Sequence, residues 1–454
     1  MDPRFIQCDR DTLYLMPPSV QDWLPENHLA RFVVDIVSQL DVWPLVSAYA
    51  GRGSDAYPPG TLLALLFYGY ATGIFSSRKM ETATYDSVAF RFITANTHPD
   101  HDTIATFRKR FLEELKPLFA QILTIAHTMG VCKLGKISLD GTKVKANASK
   151  HKALSWGHAC KLEKQIHAEV EALLRQAEQA DEKELTEAMS IPDELARREQ
   201  RLESIARAKA EIQQRASERY AKEKEAYDQK MAERNVKEQA SGKKSRGREP
   251  KPPSPGPQKT DQVNLTDEDS RIMPISGGGF EQTYNAQAGV DMDSMLIVEN
   301  HVTQQPNDKQ EIKSALKNLA ALPDTLGTVD ALAADTGYFS ENNVKRCEHK
   351  HIKPYIATER DKHNQSLNKR FSQPQPLPEN ADPVTTMKHR LKTLEGKKLY
   401  AKRKSTVETV FGIIKAVIGF RQFLLRGLES VSGEWDLVCI AYNLKRLHVL
   451  NKNK

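Results

Sequence analysis

The sequence predicts an α/β protein that has a mixed β-sheet, an N-terminal all-α region and a helical insertion. Apolar residues recur at helical spacing before residue 130, and short apolar strands alternate with helices after it. A charged stretch without a strand pattern interrupts this second part. At 454 residues and 39% hydrophobic content, the chain is long enough for two or three domains. We expect a helical domain over 1–130 and an α/β domain over 131–454, in which 155–265 form the insertion.

The N-terminal region contains an apolar helix and a basic helix. The apolar stretch 61–75 follows Pro58-Pro59-Gly60, which is a typical start of a buried helix. The stretch 98–123 predicts a second helix that Asp102 or Thr103 can cap. Its apolar residues recur at helical spacing, and they are Ile104, Phe107, Phe111 and Leu115.

Three basic residues, Arg108, Lys109 and Arg110, follow one another on the predicted second helix. Short helices followed by one basic helix are typical of a helix-turn-helix-like DNA-binding domain. A helical bundle with an ordinary basic surface is the alternative interpretation.

Strand and helix patterns alternate from Lys133 onward. A first strand is predicted to end at Asp140, and a second extended stretch follows it, with Thr142, Val144 and Ala146 alternating. The other predicted strands are the two of a hairpin joined at Asp291–Ser294, a short apolar strand that ends at Asp335, and 353–358. A helix is expected from Asp308, with Glu311 completing a capping box and Ile312, Leu316 and Leu319 facing the core. A basic helix over 400–420 follows a polar loop. This order predicts a mixed sheet covered by helices.

The insertion is rich in charged residues. Two narrow apolar stripes run along it, and they are Ile166, Val170, Leu173 and Ala177, then Leu195, Leu202, Ile205 and Ile212. Thin stripes of this kind indicate an antiparallel helical hairpin or coiled coil. Residues 242–260 are rich in Pro, Gly and Lys, which predicts a disordered linker.

Charge and cysteine content restrict the class of protein. The net charge is +7, and Thr385–Lys454 alone holds 15 Lys and Arg against five Asp and Glu. A basic segment favours a polyphosphate partner, although a solvated helix surface gives the same composition. The five cysteines are scattered without a CxxC pair, which fits a reducing cytoplasm. No apolar run reaches the roughly 18 residues of a membrane span, so we expect no membrane partner.

Three carboxylates are the candidate reactive groups. Asp140 and Asp335 each end a short apolar strand and are followed by a glycine within two residues. Strand ends lie at the rim of a sheet, where ligands converge, although a single aspartate there is more often a turn former. On the basic helix, Glu408 borders an apolar stripe and lies near Lys404 and Lys415. That stripe comprises Val407, Val410, Phe411, Ile414 and Val417.

Convergent carboxylates with flanking cations suit two hard divalent ions acting on a phosphate. Mg²⁺ prefers oxygen ligands, and two such ions can activate a nucleophile and stabilise a leaving oxygen. Asp140, Asp335 and Glu408 would then be the ligands. The cations beside Glu408 would hold phosphates.

Several stretches resemble the DDE transposases of bacterial insertion sequences. They are ISLDGTKVKANASK, GGFEQTYNAQAGVD, VDALAADTGYFSENNV and YAKRKSTVETVFGIIKAVIGFRQFLLRGL. The last is similar to the Tyr–Arg–Glu–Lys motif of that family, with Tyr400, Glu408 and Lys415 at matching positions. The arginine position departs from the motif, because Arg403 has the expected spacing from Tyr400 and Lys404 the expected spacing from Glu408. The two residues leave this position open.

The resemblance extends to the N-terminal helical domain and covers most of the chain except 155–265. It implies an RNase H-like catalytic domain with Asp140, Asp335 and Glu408 as catalytic and metal-binding triad. It also implies two Mg²⁺ or Mn²⁺ ions, binding of double-stranded terminal inverted repeats and target DNA, and at least a homodimer on the DNA. The expected location is the bacterial cytoplasm, in association with the nucleoid.

The expected function is therefore cleavage of the ends of an insertion sequence and transfer of the 3′-hydroxyl ends to target DNA. Two alternatives remain at this stage. One is an RNase H-like nuclease that hydrolyses strands without joining them. The other is a non-catalytic, transposase-derived DNA-binding protein, against which the presence of all three carboxylates argues.

Overall fold

The computed structural model describes residues 19–49, 56–181, 191–241, 247–275, 277–358, 374, 376–377 and 381–452. The N-terminal helices are α1 (Leu29–Ser38), α2 (Trp43–Ser47), α3 (Pro59–Ala71), α4 (Ser77–Asp86), α5 (Val88–Ile93), α6 (His101–Arg110) and α7 (Leu115–Thr128). The later helices are α8 (Trp156–Asp181), α9 (Ile191–Ser241), α10 (Glu311–Ala320), α11 (Glu341–His349), α12 (Pro383–Lys392), α13 (Leu394–Ser405), α14 (Val407–Gly412) and α15 (Leu428–Lys452). The strands are β1 (Lys136–Lys145), β2 (Ala153–Ser155), β3 (Gln262–Asn264), β4 (Arg271–Pro274), β5 (Phe280–Asp291), β6 (Ile297–Thr303), β7 (Ala331–Ala334) and β8 (Lys353–Ile356).

Contacts among the described residues divide the chain into two compact units. The first takes in the described residues of Met1–Thr142, Asn285–Leu425 and Glu429–Lys454, and the second those of Lys143–Tyr284 and Arg426–Leu428. The N-terminal helices thus share a unit with most of the α/β region. The domain boundary at residue 130 stays a prediction. None of the described helices is long and apolar enough to cross a membrane.

The main sheet is mixed, as the sequence predicted. Its strand order is β4-β5-β1-β7-β8, and β6 pairs with β5. The β5–β6 hairpin is antiparallel, whereas β7 runs parallel to both β1 and β8. Helices follow β6, β7 and β8 along the chain. An N-terminal helical region and this mixed-sheet domain together give the fold of an RNase H-like protein.

The predicted second helix of the N-terminal region is two helices. The chain turns between α6 and α7, so the apolar stripe that begins at Ile104 continues on a separate helix. The cap also differs from the prediction. Asp100 rather than Asp102 or Thr103 caps α6, because its Oδ1 accepts the backbone N–H of Thr103 at 2.7 Å.

The insertion forms the predicted helical hairpin. Ile166 of α8 packs in one apolar cluster with Ile205 and Ile212 of α9, and Val170 and Leu202 adjoin it. Ion pairs join Lys209 to Glu163 at 2.7 Å and Arg198 to Glu169 at 3.1 Å, and their order shows that the helices are antiparallel. Strands β2 and β3 pair at the base of the hairpin. The side chain of Ala177 lies outside the described residues.

The disorder expected for the linker over 242–260 stays a prediction. Residues 242–246 lie outside the described residues, whereas 247–260 are described as turns and coil. Arg219 of α9 donates to the carbonyl of Gly256 at 3.3 Å and pairs with Asp261 at 2.8 Å. These contacts hold the end of the linker against α9.

Helix α15 is buried on most of its surface and completes the hydrogen bonding of the sheet. Trp435 donates its indole N–H to the carbonyl of Gln287 on β5 at 2.9 Å. Asn443 accepts from the backbone N–H of Ile297 at 2.9 Å and donates to its carbonyl at 2.7 Å. The amide of one side chain therefore replaces a strand neighbour at the edge formed by β6.

A buried polar chain connects α15 to the N-terminal helices. Glu434 is fully buried and accepts the hydroxyl of Tyr70 at 2.9 Å. The same hydroxyl oxygen accepts from Arg108 at 3.1 Å, and Arg108 also donates to the carbonyl of Phe75 at 3.0 Å. Burial raises the pKa of Glu434, and backbone N–H groups and Arg108 oppose that rise. Arg108 Nε is buried and has no hydrogen-bond partner among the described residues, so this polar chain is not fully satisfied.

A buried histidine joins β6 to α10. His301 Nδ1 lies 2.7 Å from Glu299 Oε1, and its Nε2 lies 3.0 Å from Glu311 Oε2. Glu311 therefore binds this histidine instead of completing a capping box, and α10 begins three residues later than predicted. Burial lowers the pKa of His301, but the two carboxylates outweigh it and raise the pKa from 6.5 to about 9.

The His301 cluster makes stability depend on pH. A base whose pKa rises on folding contributes stability below its unfolded pKa of 6.5 and loses it as the pH rises through about 9. The thermal midpoint should therefore fall across this window. His301→Gln should show a flatter dependence, which a thermal scan at several pH values measures. Equal slopes for the two proteins would contradict the assignment.

Candidate active site

Asp140 on β1 lies level with Asp335, which directly follows the neighbouring parallel strand β7. β1 pairs with β7 in a register that places Ser138 opposite Ala333. Asp140 comes two residues after Ser138, and Asp335 comes two residues after Ala333. Parallel neighbours are about 4.8 Å apart, so the two carboxylates lie at one edge of the sheet. The predicted position of Asp140 at a strand end is wrong, because β1 continues to Lys145. Asp335 directly follows β7, as predicted.

Glu408 lies in the first turn of α14, after a break in the predicted basic helix. Thr406 has φ −109° and ψ −91°, which ends α13 and starts α14. A π-helical turn over Ile413–Ile418 follows. This turn shifts the helical phase, so Val417 is 66% exposed instead of facing the core. The other predicted core residues of this stripe are buried.

Arg403 bridges two of the three predicted carboxylates. Its Nη1 donates to Asp140 Oδ2 and its Nη2 to Glu408 Oε1, each at 2.9 Å. The Arg403 side chain is 9% exposed, against 19% for Asp140 and 45% for Glu408. Lys404 is exposed to solvent. The structure therefore brings Arg403, and not Lys404, to the carboxylates.

The other residues of the motif lie beside this ion pair. The guanidinium carbon of Arg403 is 5.9 Å from the ring centre of Tyr400. Lys415 donates to the hydroxyl of Thr142 on β1 at 2.5 Å. Thr142 is two residues after Asp140 on β1, so its side chain and that of Asp140 lie on the same face of the sheet.

The surroundings of Asp140 disfavour its charge. Burial raises the pKa of Asp140 to about 6, Asp335 and Asp308 raise it as well, and Arg403 and the N–H of Gly141 oppose them. Burial lowers the pKa of Arg403, but the carboxylates of Asp140 and Glu408 outweigh it and raise the pKa overall. Arg403 therefore offsets only part of the effect of burial and of the neighbouring aspartates on Asp140.

Asp308 is a fourth carboxylate that the sequence prediction treated as a helix start. Its Oδ1 accepts from the side-chain amides of Asn285 and Gln287, each at 2.7 Å. Gln287 in turn accepts the hydroxyl of Tyr338. Asp308, like Asp335, lies in a loop between a strand and a helix. This shared position is the sequence signal that could have identified it.

Gly141 makes room for this group of polar atoms. A Cβ at Gly141 would lie 2.9 Å from both Asn285 Oδ1 and Asp308 Oδ1, which is closer than real contacts allow. Asn285 Oδ1 is buried and has no hydrogen-bond partner among the described residues. A buried amide oxygen without a donor is costly unless a donor or a cation reaches it.

The donor set fits a divalent metal ion in chemistry but not in its present spacing. Carboxylate and amide oxygens are the ligands that Mg²⁺ and Mn²⁺ prefer. Within the described residues, no three acidic, histidine or cysteine side chains lie close enough together to hold one ion. Arg403 occupies the space between Asp140 and Glu408, so an ion that these two share requires Arg403 to move.

The basic residues of α6 have separate positions. Arg108 is buried in the polar chain with Tyr70, which fits a structural role better than a DNA contact. Its expected place on an exposed face is therefore corrected. Lys109 and Arg110 are exposed, and Arg110 stacks over Tyr49 at 4.9 Å.

Two family models match the chain. One, described as a transposase domain (DUF772), matches residues 18–110, and the other, described as a transposase DDE domain, matches residues 255–444. The chain belongs to the DDE transposases. The DDE match includes Asp335 and Glu408, and it begins after Asp140. The pairing of β1 with β7 places Asp140 beside Asp335, and Arg403 links it to Glu408. No curated protein and no solved structure gives a significant match to this transposase.

Arg403→Gln should destabilise this transposase, because it leaves the buried carboxylate of Asp140 without a cation. Removing one partner of a buried ion pair costs roughly 3 kcal/mol, and the exposed contact with Glu408 adds little. The matched control is Lys404→Gln, which removes an exposed charge from the next residue and should leave the thermal midpoint unchanged.

Added Mn²⁺ should raise the thermal midpoint of Arg403→Gln more than that of the natural protein, since the guanidinium no longer competes for the carboxylates. Equal shifts in both proteins would show that Arg403 does not share its position with a cation.

Proposed function

We propose that this transposase cleaves DNA strands at the ends of its element and joins the freed 3′-hydroxyls to target DNA. The observation that carries the proposal is the carboxylate group at one sheet edge. Asp140 lies on β1, Asp335 directly follows β7 and Glu408 lies on α14, and Arg403 donates to Asp140 and Glu408. A cluster that needs a cation to stay charged suits chemistry on a polyanion with divalent metal ions.

Asp140, Asp335 and Glu408 are the proposed metal ligands and catalytic residues. Bound there, two Mg²⁺ or Mn²⁺ ions supply Lewis-acid stabilisation of the phosphate and a more acidic nucleophilic water. Tyr400, Arg403 and Lys415 lie beside the carboxylates and are proposed to hold DNA phosphates. Lys404, Lys109 and Arg110 are exposed and stay candidates for DNA contacts outside the reaction centre.

The proposed chemistry has two substitutions at phosphorus. In the first, the oxygen of water attacks the phosphodiester at the element end, the bond from phosphorus to the 3′-oxygen breaks, and a 3′-hydroxyl and a 5′-phosphate result. In the second, that 3′-hydroxyl attacks a target phosphodiester and displaces a target 3′-hydroxyl. Each step moves one proton from the attacking oxygen to the leaving oxygen. Double-stranded terminal repeats and target DNA are the substrates, and a homodimer on the two ends is the proposed assembly.

Asp335→Asn should abolish both cleavage and joining. The substitution keeps the shape and the hydrogen bond from Gly337 (2.8 Å to Asp335 Oδ1) but removes a charge needed to hold a cation. The assay uses the full chain, DNA that carries the sequences flanking its gene, and Mg²⁺ or Mn²⁺. Asp324→Asn, an exposed carboxylate of the same region, is the matched control.

The products separate the proposal from its two rivals. Cut ends without joined products would favour a nuclease of the same fold. Binding without metal-dependent cleavage would favour a non-catalytic DNA-binding protein. Cleavage that persists in Asp335→Asn would remove this residue from the triad.

Asp308 is proposed as a positioning residue for the metal site. Asn285 and Gln287 fix its carboxylate, and it raises the pKa of Asp140, so the two negative charges lie close enough to interact. A carboxylate so placed attracts a cation to the triad and orients the ligands around it.

Asp308→Asn should weaken Mn²⁺ binding and lower cleavage by about 10- to 100-fold, the usual effect of a residue that orients ligands. The thermal midpoint without metal should not fall, because the amide can still accept from Asn285 and the repulsion with Asp140 is relieved. Calorimetric titration with Mn²⁺ measures the binding, and Asp324→Asn serves as control. A lower midpoint with unchanged Mn²⁺ affinity would show a purely structural role.

A further inference from the structure

A basic groove lies between α10 and α11, outside the proposed reaction centre. Its volume is about 810 Å³. The cations that line it are Lys313, Lys317, Lys345, Arg346 and Lys350. No carboxylate is among the described residues that line it, and Leu316, Ala320 and Ala321 are its apolar members. This composition points to a polyanionic ligand.

Helical spacing explains why the cations share one face. Lys313 and Lys317 are four residues apart on α10, as are Lys345 and His349 on α11, so each pair lies on one side of its helix. All five cations are exposed. Within the described part of the chain, none of them forms an ion pair with a carboxylate. Their charge is therefore directed at solvent.

The acidic residues of α10 and α11 do not line the groove. Glu311 of α10 is buried against His301, and Glu348 of α11 pairs with Arg390 at 3.1 Å. Glu341 lies in the first turn of α11 and does not line the groove. The packing of these helices thus leaves a cationic face between them.

Both helices begin close to the proposed reaction centre. Asp308 precedes α10 by three residues, and Asp335 precedes α11 by six. Along the chain, the residues that line the groove therefore follow closely after the two loops that hold Asp308 and Asp335. A DNA backbone that leaves the carboxylates along the groove would meet its cations in succession.

We propose that this groove binds the sugar-phosphate backbone of duplex DNA beyond the site of cleavage. Lys313 and Lys317 are about 6 Å apart along the helix axis, close to the roughly 6.8 Å rise of two nucleotides in one strand. Flexible lysines bind phosphates as point charges and read no base sequence. The groove therefore contributes affinity that does not depend on sequence. The inference rests on DNA as the substrate, but it does not require cleavage chemistry.

The test is the salt dependence of DNA binding by the full chain without divalent metal. The probe is a duplex of arbitrary sequence, and the variant is Lys317→Gln with Lys345→Gln. Log affinity falls as log salt rises, and each lost phosphate contact makes this negative slope shallower by about 0.9. The double variant should therefore make the slope shallower by about 1.8 between roughly 50 and 200 mM salt. The matched control, Lys222→Gln with Lys230→Gln, removes two exposed charges from α9 and should keep the natural slope.

Lys317→Arg with Lys345→Arg keeps both charges and should restore the slope, which separates lost contacts from misfolding. An unchanged slope in the groove variant, or an equal loss in the α9 control, would overturn the proposal. Because no metal is present, the outcome is independent of cleavage. A shallower slope in a protein that fails to cut DNA would leave the groove assigned and the catalytic proposal refuted.

Discussion

The ion pairs of Arg403 with Asp140 and Glu408 are the interaction on which the candidate site depends. Asp140 is largely buried and has other aspartates nearby, so both low polarity and like charge disfavour its ionised form. A carboxylate in that position is costly unless a cation balances it. Arginine suits the task, because its planar fork can donate to two carboxylates at once and it stays charged when buried.

The break at Thr406 is what allows one side chain to hold both carboxylates. Residues 403 and 408 are five positions apart, which on a continuous α-helix turns their side chains about 140° away from each other. The change of direction between α13 and α14 brings Glu408 back towards the guanidinium. The irregular backbone therefore belongs to the site, and straightening it would separate Glu408 from Asp140. Strain or irregularity near reactive groups is common where a scaffold must aim several side chains at one point.

The same ion pairs would compete with a metal ion for Asp140 and Glu408. Arg403 holds Asp140 and Glu408 near each other through one hydrogen bond to each, so their proximity does not require a metal ion. It also occupies the position that a shared cation would take, so metal affinity is reduced by the energy of these ion pairs. Phosphates offer the displaced guanidinium a new bidentate partner. DNA and metal binding would then support each other through one arginine.

Periodicity predicted much of the fold. The mixed sheet, the β5–β6 hairpin, the insertion hairpin and the position of α3 follow from local patterns of apolar residues, turns and caps. The three carboxylates could be chosen from the sequence because two of them accompany short apolar strands. The position of Asp140 beside Asp335 could not be predicted, since it depends on the β1–β7 register, and the link from Asp140 to Glu408 depends on Arg403. The spacing of the Tyr–Arg–Glu–Lys motif also could not show whether Arg403 or Lys404 takes its arginine position. The break between α13 and α14 distinguishes the two residues.

The wrong predictions for Arg108 and Asp308 have one physical origin. The partner of a side chain can lie far away along the chain. Arg108 looks like a surface cation by its neighbours, but Tyr70 and Glu434 give it a buried place. Asp308 looks like a helix start, but Asn285 and Gln287 draw it to the sheet edge.

Charge counting along the sequence is misleading for the same reason. The basic excess of the chain lies after Thr385, whereas the groove between α10 and α11 takes its cations from a stretch that also contains acids. Two of those acids, Glu311 and Glu348, are taken up by His301 and Arg390, so the helices expose mainly their lysines and arginine. A surface field is set by which charges remain after internal pairing, because paired charges cancel within a few ångströms and unpaired ones act over about 8 Å at physiological salt. A DNA-binding face can therefore form on a segment whose composition alone would not reveal it.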